Sequence, residues 1–193
     1  MGLAASQVSG GTQLNAKTPS QQTNAQAEIT TKANAALALS SKQMAKTVTV
    51  EQGALVDASA TQSGNGGTIA IWSEVKTTIA GILKSMGGAL SGNGGFIETS
   101  SKTQVNLTST ANIDTSASKG KAGTWLLDPI DLVIDTAAAN IISAALAMNN
   151  VIIEVNANTT ACPSVGGCTQ SGTGRLTIAS GADILKSGTN RTT

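Results

Sequence analysis

Gly64-Asn65-Gly66-Gly67-Thr68-Ile69-Ala70-Ile71 sets the frame for the whole chain. It returns 28 residues later as Gly92-Asn93-Gly94-Gly95-Phe96-Ile97-Glu98-Thr99. A degenerate third copy, Gly120-Lys121-Ala122-Gly123-Thr124-Trp125-Leu126-Leu127, follows after another 28. A fixed period of this size marks a repeat architecture, in which each unit buries its apolar face on its neighbours.

Within each copy a run suited to a β-strand follows the glycines. Successive side chains of a strand face opposite ways, so alternation separates an inward from an outward set. Ile69, Ile97 and Trp125 form one inward track, and Ile71, Thr99 and Leu127 form the next. Ala70 and Glu98 fall on the outward side, as does Trp72. Tracks stacked at a constant period predict an all-β chain wound as a parallel β-helix of 28-residue coils, with one or two short Ala-rich helices. The glycines then serve as corners, where positive φ or close backbone approach is needed. A phosphate-cradling loop would require a following helix and a Gly-Lys-Ser/Thr step. Strands follow here, and that step is absent.

A second phrase supports the same frame. Val48, Val50, Gly53, Ala54 and Val56 recur as Val105, Leu107, Thr110, Ala111 and Ile113, and again as Leu176, Ile178, Gly181, Ala182 and Ile184. The first two copies stand 57 residues apart, one more than two periods, so one residue slips at a turn between strands that keep phase. Two Ala-rich stretches break the period-two pattern and carry helical spacing, residues 23–45 and 136–148. Thr136 is the expected cap of the second, with Asn149-Asn150 its end. Asp128-Pro129 reads as a turn before another strand. The expected organisation is an irregular segment over 1–46 containing the first helix, then a β-helix over 47–193. The pattern stops at Thr193 without a cap, which predicts that the natural protein continues.

Composition narrows the chemistry. Of the 193 residues, charged side chains make up 12%, and the formal net charge is +1, so no nucleic-acid footprint is present. Histidine is absent, which removes Ser-His-Asp and Cys-His catalysis and the commonest zinc ligand. No apolar run is long enough for a membrane span, and Met1–Gly10 lacks a signal peptide's basic and apolar regions. The two cysteines, Cys162 and Cys168, flank a Pro/Gly-containing loop. A local disulfide in an oxidising compartment is one reading, and two free thiols is the other.

Enzymes built on parallel β-helices place carboxylates on neighbouring coils. At a 28-residue period Glu98 aligns with Ala70 and Leu126, Asp128 with Ser100 and Trp72, and Glu74 with Lys102 and Ile130, so no carboxylates stack. Asp57 and Asp114 correspond two coils apart and fit corner caps. Asp128, Asp131 and Asp135 read as turn caps rather than calcium ligands. No catalytic residue, metal site or cofactor is therefore expected. Trp125 belongs to the core, and outward-facing Trp72 is the candidate for surface contact.

Gly92 to Ser100, followed by Gly123-Thr124-Trp125-Leu126-Leu127-Asp128-Pro129-Ile130-Asp131-Leu132-Val133-Ile134, resembles the filamentous haemagglutinin-like exoproteins of Gram-negative bacteria, secreted by the two-partner route. Ala45 to Val50 with Gly53 to Ala60, and Trp72-Ser73, are similar to that family's rungs. The resemblance covers about residues 44–193. It implies a right-handed parallel β-helix, passage through an outer-membrane β-barrel transporter, a secreted or cell-surface location, and adhesion to cells or matrix through an unidentified receptor. The family's secretion domain with its Asn-Pro motifs has no counterpart here, which marks the segment as shaft. A stalk carrying a toxin, or less readily a polysaccharide-active enzyme, is the rival expectation.

Overall fold

A computed structural model describes residues 45–155 and 173–187. The N-terminal helix expected over 23–45 and the loop holding Cys162 and Cys168 lie outside the described residues, Ala45 excepted. Ten strands and one helix follow in order: β1 (Thr47–Val50), β2 (Leu55–Asp57), β3 (Thr68–Ser73), β4 (Lys76–Ile79), β5 (Ile82–Lys84), β6 (Phe96–Leu107), β7 (Asn112–Asp114), β8 (Thr124–Ile134), α1 (Thr136–Leu146), β9 (Asn150–Ile153) and β10 (Leu176–Ile178). All pairings between them are parallel. One sheet runs β1-β4-β6-β8-β10, with β3 also on β6 and β9 also on β8. A second sheet runs β2-β5-β7.

The 28-residue frame is the register that joins β3, β6 and β8 in the large sheet. Thr68 pairs with Phe96 and Phe96 with Thr124, which superposes Ile69, Ile97 and Trp125, then Ile71, Thr99 and Leu127. Ile69, Ile97, Trp125 and Leu127 are completely shielded from solvent. Burying each such side chain is worth about 1.5–3 kcal/mol. Buried polar groups in this interior are paired. The Trp125 indole Nε1 donates to Thr99 Oγ1 at 3.0 Å. Ser73 Oγ meets Thr77 Oγ1 at 2.8 Å and donates to Ser101 Oγ at 3.2 Å, and Thr77 Oγ1 donates to the Ser100 carbonyl at 2.7 Å. Hydroxyls satisfied in this way let a Ser/Thr-rich sequence line a core.

The second phrase also has a structural meaning. In its three copies the small residue closes the same turn: Ala54 N donates to Glu51 O, Ala111 N to Thr108 O and Ala182 N to Ala179 O, each at 3.0 Å. Between the first two copies lies a rung that the sequence reading passed over, β4 and β5. It joins its strands by only Ala80 and Gly81, where β1 and β2 are separated by four residues. The offset is 29 then 28 residues on one side of this corner and 27 then 30 on the other. Both sums give the 57 seen in the sequence, so the shortened corner cancels out and the one-residue slip lies in the 29-residue step from β1 to β4. Asp57 and Asp114 cap equivalent corners, accepting from Ser59 N and Ser116 N at 2.8 Å.

Three expectations need correction. Asp128-Pro129 lies inside β8 rather than at a turn. Pro129 pairs with Ser101, where the β6–β8 register shifts, and a residue without an N–H is tolerated at such an irregularity. Asp135, not Thr136, caps α1. Its backbone is extended and its carboxylate accepts from Ala138 N at 2.8 Å. The helix ends at Leu146, two residues early.

Asn149 fixes α1 in place of a further strand. The helix packs on β6, β7, β8 and β9, burying Ala138, Ala139, Ile141, Ile142 and Ala145. Just beyond it, Asn149 Nδ2 donates to Ile113 O at 2.8 Å, while its Oδ1 accepts from Thr115 N at 2.6 Å and Thr115 Oγ1 at 3.0 Å. A parallel strand beside Asp114 would make this same pair of backbone contacts. One buried side-chain amide therefore satisfies the edge of β7. Asn149→Ala leaves both groups unpaired and should lower unfolding free energy by about 2–4 kcal/mol. Urea unfolding followed by circular dichroism checks this, with Asn140→Ala on the exposed face of α1 as the near-neutral control.

The paired glycines act by close approach. A methyl group on Gly94 would collide with the Thr115 carbonyl and the Gly123 nitrogen, whereas one on Gly53 would meet nothing. Gly53 has φ of 82°, so its cost is conformational alone. Gly94→Ala should therefore cost at least about 3 kcal/mol and Gly53→Ala about 1 kcal/mol. Equal losses on thermal unfolding would refute the distinction.

Candidate functional site

The outward face of the large sheet concentrates the chain's unusual chemistry. Alternation sends Ala70 and Trp72 of β3 to this face. The register places Glu98 and Ser100 beside them on β6, then Leu126 and Asp128 on β8. The β8–β9 register is 26 rather than 28, with α1 standing beside β7 in place of a further strand. Leu127 therefore pairs with Ile153, and Glu154, whose N–H donates to Leu127 O at 3.0 Å, lands beside Asp128.

Two sequence expectations change here. Trp72 was the candidate for surface contact, yet it is only 4% exposed. It does point away from the main core cluster, as Leu126 and Ile130 also do, but all three are buried. Alternation gives the direction of a side chain and not what covers it. Lys102 Nζ stands 5.6 Å from the Trp72 ring centroid and 3.4 Å from Glu74 Oε1, in the Glu74–Lys102 alignment the period implied. Such a partly exposed ion pair contributes little to stability, while the cation over the indole face adds to its shielding.

The second change concerns carboxylates. The 28-residue period predicts no stacked acids, but the 26-residue step brings Glu154, the residue after β9, beside Asp128 of β8. Glu98 is 3% and Asp128 5% exposed. Ser100 Oγ donates to Glu98 Oε1 at 2.8 Å. Burial, reinforced by the charges of Glu98 and Glu154, pushes the Asp128 carboxyl up to about 6. A group titrating there can donate or accept a proton near neutral pH. The sequence did carry a signal for it. Trp125-Leu126-Leu127-Asp128 and Val151-Ile152-Ile153-Glu154 share the pattern of three apolar residues and an acid.

The other two aspartates of the Asp128–Asp135 run are structural. Asp135 caps α1. Asp131 accepts from Arg175 N and Thr173 Oγ1, both at 2.9 Å, and from Thr173 N at 3.2 Å, holding the approach to β10 against β8. The Arg175 backbone hydrogen bond, foremost among these contacts, holds its carboxyl below the usual range. Among the described residues no three His, Cys, Asp or Glu converge as metal ligands, and no helix is long and apolar enough to cross a membrane. No protein-family model matches the chain, and neither the curated proteins nor the solved structures yield a match.

The raised Asp128 carboxyl has a consequence for stability. Between about pH 4 and pH 6 the folded chain holds this proton more tightly than the unfolded chain, so this group's contribution to stability falls as pH rises through that window. Asp128→Asn removes the titration. Urea midpoints measured from about pH 4.5 to pH 7 should decline more steeply for the wild type than for the variant. Parallel curves would show that folding does not raise the Asp128 carboxyl.

Proposed function

We infer that the chain from Thr47 onward is a shaft segment of a secreted, surface-associated filamentous haemagglutinin-like adhesin. In this reading its strands wind as a right-handed parallel β-helix. The observation that carries the reading is the 28-residue parallel register joining β3, β6 and β8, with Ile69, Ile97 and Trp125 superposed. The resemblance of Gly92 to Ser100 and Gly123 to Ile134 to that family supports it. So does the preference of parallel crossover connections for the right hand. The mechanism is mechanical. A continuous ladder makes a stiff rod, delivered through an outer-membrane β-barrel transporter, that holds recognition loops away from the bacterial surface.

A second reading, a polysaccharide-active enzyme, draws on Asp128 with the nearby carboxylates of Glu98 and Glu154. It requires that the chain cleave a glycan and that Asp128→Asn abolish the cleavage.

Monovalent antibody fragments raised against residues 47–187 test the adhesin reading on intact producing cells. They should label the outer surface and reduce attachment to host cells several-fold. Full labelling with undiminished attachment would exclude a role in adhesion. Detection in lysates but never on intact cells would exclude the surface location.

A further inference from the structure

We propose that this chain self-associates head to tail, the β10 edge of one copy adding in parallel to the β1 edge of the next. β1 and β10 end the strand path β1-β4-β6-β8-β10 of the large sheet, and each pairs on one side only. Among the described residues, no backbone hydrogen bond reaches either strand from its outer side. Unpaired edges of this kind are templates for another strand.

The occupant follows from the match between the two ends. Both carry the same phrase with the same internal spacing: Val48, Val50 and Val56 at one end, Leu176, Ile178 and Ile184 at the other. Both turn their corner by the same 3.0 Å hydrogen bond, made by Ala54 and by Ala182. A β1 edge laid on a β10 edge with Val48 against Leu176 therefore continues the inward apolar tracks, strand and corner together. Leu176 is 47% and Ile178 56% exposed, and this register covers them. It also opposes no like charges, since Asp57 falls against Leu185 and Asp183 against Leu55. The contact joins two different surfaces of the chain, so it does not close on itself and extends into rods. It depends on the two edges and not on adhesion.

Sedimentation velocity over a concentration series, with electron microscopy of negatively stained samples, tests this on the full chain. The wild type should pass from a 19.2 kDa monomer to rods that lengthen with concentration. Val48→Lys at one edge, and Leu176→Lys with Ile178→Lys at the other, should each hold the protein at monomer mass with an unchanged far-UV spectrum. An equimolar mixture of the two variants retains one intact edge of each kind and should form a 1:1 dimer and nothing larger. If a core-facing lysine unfolds the chain, the exposed Thr49→Lys and Thr177→Lys place the same charge on the edges without touching the interior. A wild type that stays monomeric throughout overturns the proposal and assigns the edges to another occupant, such as further repeats of the same polypeptide. A wild type that stops at a symmetric dimer, or growth indifferent to the lysines, overturns it equally.

Discussion

One hydrogen bond, repeated three times, holds the repeats shut. Gly67 N donates to Ala58 O at 2.8 Å, Gly95 N to Ser85 O at 2.7 Å and Gly123 N to Thr115 O at 2.7 Å. In each case the last glycine of the block reaches back to the carbonyl of the residue just after β2, β5 or β7. The bond brings two backbones closer than any side chain permits. A Cβ on Gly94 would strike the Thr115 carbonyl that accepts from Gly123, and one on Gly66 would strike the Ser85 carbonyl that accepts from Gly95. The paired glycines are thus the condition for the strands after them to start in phase. The next bond in each case, Phe96 N to Gly67 O or Thr124 N to Gly95 O, is already the first rung of the parallel ladder.

From this closure the readable and unreadable parts of the sequence separate. The tracks through Ile69, Ile97 and Trp125 were legible because a constant glycine spacing transmits register directly to the strands. The corner roles of Asp57 and Asp114 were legible for the same reason. What failed depended on a spacing that changes. Glu154 could not be placed beside Asp128 while a 28-residue step was assumed, since α1 shortens that step to 26. The β4–β5 rung hides in the sequence because its corner is two residues shorter than those of its neighbours and breaks the phrase. Trp72 failed for a different reason. Its direction was readable from alternation, but burial of the outward face requires contacts that no local pattern encodes.

The helix shows how far a repeat can be varied without losing its ladder. α1 removes one strand from the β2-β5-β7 sheet and would leave the β7 edge unpaired inside the molecule. The side-chain amide of Asn149 offers one donor and one acceptor at the spacing of a peptide group, and both are used there. An aspartate could accept but not donate, and a leucine could do neither. A change of secondary structure in one repeat is therefore confined to that repeat, while β8 and β9 keep pairing on the opposite side.

The same confinement explains where the unusual electrostatics sits. The inward hydroxyls, Ser73, Thr77, Ser101 and Thr99, lie where the 28-residue step is kept, and each finds a partner on its own or a neighbouring strand. Asp128 lies where the step changes, between a strand placed by the glycines and a strand placed by the helix. On its β6 side the aligned residue is a neutral serine. On its β9 side the altered step delivers a second carboxylate. Nothing in the ladder opposes this, because backbone pairing is indifferent to side-chain charge. The cost falls on the carboxyl, which keeps its proton to a higher pH. Register set by backbone closure thus dictates the chemistry of the outer face, and a single irregular repeat suffices to concentrate acidity on it.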